Sequence, residues 1–550
     1  MTNKDLASLI YPDVTKTIED YERIYPQRQL KEGAIVTRFA PSPTGFVHLG
    51  SLRTSFIAKK VAEDTCGIFY LRIEDTDEKR SIENSVQGII DDLTNFNINI
   101  DEGVTSQIEE KGIYGPYTQT KRQEIYDTFA YYLIENDFAY PCFCTEEELE
   151  NIRKRQEVRK DRIGYYGDYA KYRNISNDEK ASLIKKNIPY VIRLKSHGDF
   201  EKKVSFIDAV RGKIEFPEND MDTILIKSDK IPVYHFAHVV DDHLMRTTHI
   251  IRGEEWISST PVHIELFNAF NFPIPIFCHL GLIMKIDENG IRRKLSKRKD
   301  PEAAVSFYHK EGYPVEALKL YLMTISNSNF EIWMEDNPNK SINDFKFDFK
   351  KISESGTLFD INKLINISKV YISKLSANTL YDDILLYNKE YDKDFYELLK
   401  NNKEYTISLL NIERNIPRPR KDISCYKDFK KELGFMYDEL FLSHDFILKD
   451  FYSYEILEDY VKNYYNIEDD KDLWFSKIKE LGIKYNFCTD NKAYKEDPSL
   501  YKGNISSLCE LIRVAFTSRT NTPDLYEILK LLNIDTINKR LQMFKEYMNK

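Results

Sequence analysis

The stretch Ile35-Val36-Thr37-Arg38-Phe39-Ala40-Pro41-Ser42-Pro43-Thr44-Gly45-Phe46-Val47-His48-Leu49-Gly50-Ser51 decides the fold. Its first six residues form a β-type run, and Pro41 to Gly45 stop it. Leu49, Leu52, Phe56 and Lys60 then fall on one side of a helix. A second strand follows at Ile68–Ile73 and ends in Glu74-Asp75-Thr76-Asp77. Ile82, Val86, Ile89, Ile90 and Leu93 return to helical spacing. Strand, helix, strand, helix with breakers between them predicts βαβ units on a parallel sheet, an α/β fold.

Working outward, residues 1–33 are polar, hold a short helix around Thr15–Ile24, and read as an extension. From 141 to 230 the texture is α+β. Thr145 with Glu148 is a capping box opening a charged helix, and short β-like runs lie at Tyr190–Lys195, Val204–Val210 and Thr223–Lys227. The βα texture resumes with Tyr234–Val240, Thr247–Arg252 and a helix from Thr260. Beyond about 301 the pattern is mostly helical. Ile537, Leu541, Phe544 and Met548 keep helical spacing, and Thr522-Pro523 has the form of an N-cap and N1 pair.

Composition narrows the class. The chain has 550 residues, 42% apolar and 31% charged, which is globular rather than disordered. No signal-peptide pattern and no run of about 18 apolar residues is present, so a soluble cytoplasmic protein is expected and a membrane partner is not. Seven scattered cysteines are not a disulfide framework. A net charge of −10 argues weakly against nucleic acid, but an average says nothing about patches.

Two constellations suggest chemistry. Gly45 and Gly50 let backbone approach a nucleotide, the helix start offers N–H groups to phosphate, and His48 can donate a hydrogen bond as charge develops there. About 240 residues later comes Lys294-Leu295-Ser296-Lys297-Arg298-Lys299, a basic loop able to neutralise pyrophosphate. Separately, each has a bland alternative, a tight turn with a surface histidine or a solvated basic face.

Taken together they resemble the HIGH and KMSKS motifs of class I aminoacyl-tRNA synthetases. Longer strings narrow the resemblance to bacterial glutamyl-tRNA synthetases: Arg38 to Gly45, Leu71-Arg72-Ile73-Glu74-Asp75-Thr76-Asp77, Val239-Val240-Asp241-Asp242-His243-Leu244-Met245 and Ile251-Arg252-Gly253-Glu254-Glu255-Trp256. The match runs from about residue 34 to 330, with a weaker one at Gly503–Leu532. The resemblance implies ATP-dependent attachment of glutamate to tRNA through glutamyl-adenylate. It places Arg38 on the γ-carboxylate, Arg252 on the α-carboxylate side, Glu74 on the α-amino group, and Ala40, Ser42, Tyr234 and His238 in the same pocket. Gly45, His48, Gly50, Lys294 and Lys297 bind ATP, with Glu254 or Glu255 helping to place the nucleotide. His48, Lys294 and Lys297 carry the chemical step, and ATP brings Mg²⁺ with it.

Three features depart from the family pattern. Ser51 replaces the last residue of the first motif. His238 stands where many relatives have Asn, and glutaminyl enzymes carry a similar Phe-Ala-His string; Arg252 points back to glutamate. Cys142-Phe143-Cys144 is similar to half a zinc site, but Tyr169 and Lys171 occupy the expected positions of the other half, so no zinc is expected.

The resemblance also divides the chain: a Rossmann-type parallel-sheet catalytic domain at 34–140 and 231–328, an acceptor-binding insertion at 141–230, a stem-contact domain at 329–394, and an all-helical anticodon-binding region at 395–550. Arg153 and Arg155 on the insertion's basic helix, and Arg414, Arg418 and Arg420 in the basic stretch 411–431, are the expected tRNA contacts. A monomer acting on tRNA(Glu) is expected, with tRNA(Gln) left open as a second acceptor. A glutaminyl enzyme would carry β-barrels where 395–550 is helical. A tRNA-modifying relative would lack that region, and a catalytically dead RNA-binding relative would have lost Arg38 or the motif lysines.

Overall fold

The computed structural model describes residues 1–43, 47–77, 85–296, 298–441 and 446–549. Val36–Phe39, Ile68–Leu71 and Glu102–Val104 lie parallel, and Glu110–Lys111 closes that edge antiparallel. Gly103 (φ +118°) permits the close pairing, since a Cβ there would fall 2.2 Å from the Leu71 carbonyl oxygen. A second sheet runs His249–Gly253, Ile276–Leu280, Lys203–Asp208, Gly212–Pro217, with the first three strands parallel. Thr248 joins the two sheets: its N–H donates to the Val36 carbonyl at 3.0 Å and its Oγ1 accepts from the Val36 N–H at 2.9 Å. The helix Leu49–Asp64 buries Leu49, Leu52, Phe56 and Lys60 as its spacing requires.

Two assignments differ from the sequence expectation. Tyr234–Val240 is not a strand but the first two turns of the helix Tyr234–Leu244. Phe236 to Asp242 are all buried, His238, Asp241 and Asp242 included, so polar residues do not mark a solvent face that would reveal the period. The hairpin Lys203–Asp208/Gly212–Pro217 does not stay in the insertion; it extends the catalytic sheet through Phe277 and Asp208. The insertion keeps an antiparallel sheet of Ala139–Cys142, Val191–Leu194 and Ile224–Ile226, with the helix Glu146–Arg159 opened by the Thr145–Glu148 capping box.

The chain forms two compact units, Met1–Phe307 with Lys319–Asp360, and Tyr308–Leu318 with Ile361–Lys550. The segment 329–394 is thus divided between them. The second unit is built from helices, among them Ile361–Lys374, Ala377–Tyr391, Lys403–Asn411, Lys471–Lys484, Ile505–Thr517 and Ile534–Met548, around a core rich in leucine and aromatics. It is not wholly helical: Phe487–Cys488 pairs in parallel with Gly503–Asn504. Asp524, not Thr522, caps the helix Leu525–Leu531. No described helix is long and apolar enough to cross a membrane.

Candidate active site

A cleft of about 1120 Å³ opens at the carboxyl ends of the parallel strands. Arg38, Ala40, Ser42, His48, Gly50, Glu74, Tyr234, Arg252, Glu255 and Lys294 all line it. Gly45 and Lys297 lie outside the described residues. His238 does not line the cleft; it lies fully buried, stacked on Tyr234 with ring centroids 4.9 Å apart.

Asp242 organises the end of the cleft that holds Arg38 and Glu74. It accepts from Arg38 Nε (3.1 Å), Arg72 Nη1 (2.8 Å) and His238 Nδ1 (3.0 Å). Burial opposes its charge, but the two guanidiniums hold its carboxyl well below the usual range. Arg38 is held charged in turn: burial disfavours its proton and Asp242 more than restores it. Arg72 Nη2 reaches on to Glu74 at 2.9 Å, so one arginine orients the acid on the other side of the site. Burial raises the Glu74 carboxyl even so. Asp241, the neighbouring acid, accepts from Gln119, Arg122 and Tyr126. The sequence placed Asp241 and Asp242 in a motif without giving them roles; two adjacent acids in an apolar helix were the available signal.

Arg252 differs from Arg38. It is 5% exposed, and its partners are His279, Thr260, Tyr234 and His263, all without negative charge. Burial lowers its pKa. His238 is driven down to about 3 by burial, so its ring is neutral, and its Nε2 is buried without a hydrogen-bond partner.

At the other end, His48 is the N-cap of Leu49–Asp64, and its Nδ1 accepts from the Gly50 N–H at 3.0 Å. In the neutral ring this leaves the proton on Nε2, the donor that a phosphate needs. Lys294 ends the strand Arg292–Lys294, with Nζ 4.0 Å from Glu255. Asp300 braces the loop beyond it, accepting from Arg293 (2.6 and 2.8 Å) and from the Ser296 N–H (2.9 Å). Glu254 is engaged elsewhere, with Arg211 and the Leu282 N–H, so Glu255 is the acid at the cleft. Arg53 also lines the cleft and was not anticipated. Burial lowers it to about 10, and it donates to the Gly281 carbonyl.

The expected RNA contacts divide. Arg153 and Arg155 are exposed on the helix Glu146–Arg159, Arg153 pairing with Glu157 and Arg155 lying over Tyr169. Arg418 is exposed. Arg414 is buried, and its guanidinium donates to the carbonyls of Leu410, Ile372 and Leu375 at 2.8–3.0 Å; it holds helix ends rather than facing solvent. The Arg420 side chain is 10% exposed and bonds Asp422. Cys142 meets the Tyr165 hydroxyl, Tyr169 bonds Asp161 and Lys171 bonds Glu148. Among the described residues no three His, Cys, Asp or Glu side chains gather as a metal site.

A strand-end cleft with His48 and Lys294 at one end and the buried arginines Arg38 and Arg252 at the other agrees with a known class. The chain belongs to the class I tRNA synthetases (E and Q), whose catalytic-domain model it matches over residues 34–365. Within that class its full-length relatives include the glutamate–tRNA ligases of Clostridium perfringens and Acetivibrio thermocellus. Each is 44% identical, over 99% and 98% of this chain respectively and all of the relative. The crystal structure of a glutamate tRNA ligase from Elizabethkingia meningosepticum in complex with its amino acid superposes with a TM-score of 0.74 at 25% identity, covering 93% of this chain and 99% of that one.

Proposed function

We infer that the enzyme joins glutamate to the terminal ribose of tRNA(Glu). The α-carboxylate of glutamate attacks the α-phosphorus of ATP and pyrophosphate leaves. A ribose hydroxyl of tRNA then attacks the carbonyl of glutamyl-adenylate and AMP leaves. ATP enters as its Mg²⁺ complex, the metal being part of the substrate.

The observation that carries this reading is the charge balance of the acid-binding end. Arg38, Arg72 and Arg252 face Asp242 and Glu74. Counting direct ion pairs, one positive charge remains, on Arg252; the next acid, Asp208, is held off it by the His279 ring. Glutamate, net −1, cancels it; glutamine, net zero, leaves a buried cation uncompensated. Arg38 then takes the γ-carboxylate, Arg252 the α-carboxylate side and Glu74 the ammonium. His48 Nε2–H and the lysines Lys294 and Lys297 meet the phosphates as pyrophosphate charge develops.

ATP–pyrophosphate exchange tests it. Exchange is expected with glutamate in the presence of tRNA and not with glutamine; glutamine-dependent exchange overturns the assignment. Charging each purified tRNA in parallel measures whether tRNA(Gln) is a second acceptor. The expected setting is the cytoplasm, and the expected working form a monomer.

A further inference from the structure

Arg252 lines the cleft without a carboxylate partner among the described residues, yet its guanidinium is not loosely held. Its Nε donates to His279 Nε2 at 3.0 Å, and His279 Nδ1 lies 2.7 Å from Asp208 Oδ2. The sheet dictates this row. Arg252 and His279 are register partners on neighbouring parallel strands, and Asp208 ends the next strand, opposite Phe277. A carboxylate at Nδ1 fixes the ring proton there and leaves the Nε2 lone pair for Arg252. A second arm runs the other way. His263 Nδ1 accepts from Arg252 at 3.3 Å, so its proton sits on Nε2 and points at His235 Nδ1, 2.9 Å away. Both arms close with every imidazole neutral, and burial disfavours protonation of all three rings.

The negative charge of Asp208 is therefore kept one ring away from Arg252. Direct contact would orient the guanidinium and also neutralise it; contact through a neutral imidazole orients it and leaves it short of an anion. We propose that Asp208 and His279 are positioning residues, which aim Arg252 at the α-carboxylate of the substrate without cancelling its charge. This rests on the placement of Arg252 against glutamate argued above.

Asp208→Asn in the full-length enzyme is the test. Its Oδ1 can still accept from the Val210 and Arg211 N–H groups that form the turn. Its amide, however, donates to His279 Nδ1, pushes the ring proton to Nε2 and sets donor against donor at Arg252, and it also gives up the His279 backbone N–H that Oδ2 accepts at 3.1 Å, a loss the His279→Gln background shares and so subtracts. The glutamate KM is expected to rise about 10–100-fold, the cost of one charge-assisted hydrogen bond, with the ATP KM unchanged. His279→Gln, whose side-chain oxygen falls near the Nε2 position and has no tautomer to mis-set, is expected to keep most affinity, and Asp208→Asn added to it should cost nothing further. His279→Asn, whose amide reaches only the Nδ1 position, donates there to Asp208 and leaves Arg252 Nε without an acceptor, should lose what Gln keeps, and this pair stands even where Asp208→Asn fails to fold. Equal losses in the two His279 variants, or an Asp208→Asn effect that persists in the His279→Gln background, overturn the proposal. Arg252→Lys separates the two ideas: an unchanged glutamate KM there removes Arg252 itself from the substrate.

Discussion

His238 shows what a single buried residue does to the response to pH. Tyr234 stacks on one face, His263 meets it edge-on at 4.3 Å, Asp242 takes its Nδ1, and Arg38 and Arg252 add positive charge nearby. Burial dominates and the ring titrates at about 3 instead of 6.5. Unfolded, the same ring takes up its proton near pH 6.5. Between those values the unfolded chain binds more protons, so stability is whole above 6.5 and is lost as pH falls toward 3. The slope reaches about 1.4 kcal/mol per pH unit for one such group. His249, lowered to about 4 by burial, contributes with the same sign. His238→Asn keeps a donor for Asp242 and removes the titration. Chemical denaturation at pH 5, 6 and 7 should therefore show a flatter decline in the variant; parallel curves for the two proteins would mean that His238 is not the buried neutral group described.

At the scale of elements, the first 33 residues are part of the fold rather than an appendage. The helices Asn3–Ile10 and Ile18–Ile24 are each opened by a capping box, and Leu6, Ile10, Tyr21 and Tyr25 are buried. Glu22 takes Arg246 at 2.6 Å and also His243, while Arg28 clasps Glu102 at 2.8 and 2.9 Å and bonds the Met245 carbonyl. The segment thereby fastens the end of the helix that carries His238, Asp241 and Asp242. Leu6→Ala is expected to cost about 2–5 kcal/mol of unfolding free energy, and Ile24→Ala, at a 48% exposed position, within about 0.5 kcal/mol. Similar values for the two would make the segment peripheral. The sequence showed only the second helix of this pair; both boxes carry Asp at the third position, where Glu or Gln is the readable signal, so neither box announced its helix. Leu49–Asp64 was legible because one face is apolar; Tyr234–Leu244 was not, because its polar residues His238, Asp241 and Asp242 are buried with its apolar ones and mark no outer face. Arg38, Glu74 and Arg252 were named through the family resemblance, and all three line the cleft. Asp208 and His279 were not, because their roles depend on which strands lie side by side. Arg414 misled for the same reason: a cation in a basic run looks free until the carbonyls of Ile372 and Leu375, some forty residues earlier, close on it.

For the whole molecule, the net charge of −10 sets the problem of binding a polyanion. The average repels RNA, so attraction rests on particular cations that are both exposed and uncommitted to the fold. Arg153, Lys154 and Arg155 meet that condition: their helix is exposed there, and the pairs Arg153–Glu157 and Lys154–Glu150 are surface pairs worth little, which a phosphate can displace. Arg414 does not meet it. The two kinds of arginine should therefore separate in a salt titration. Each phosphate contact contributes about 0.7–0.9 to the slope of log affinity for tRNA against log salt concentration. Arg153→Ala with Arg155→Ala should lower that slope by roughly 1.5 and leave thermal stability unchanged. Arg414→Ala should instead destabilise the helices whose carbonyls it holds, by about 1.5–3 kcal/mol per hydrogen bond to the charged group, and leave the slope as it was wherever the protein remains folded. Fluorescence anisotropy with labelled tRNA from 50 to about 200 mM salt reads both. A slope that responds to Arg414 and not to Arg153 and Arg155 would place the RNA-facing charge on a different part of the surface, and would return the acidic average to its first meaning.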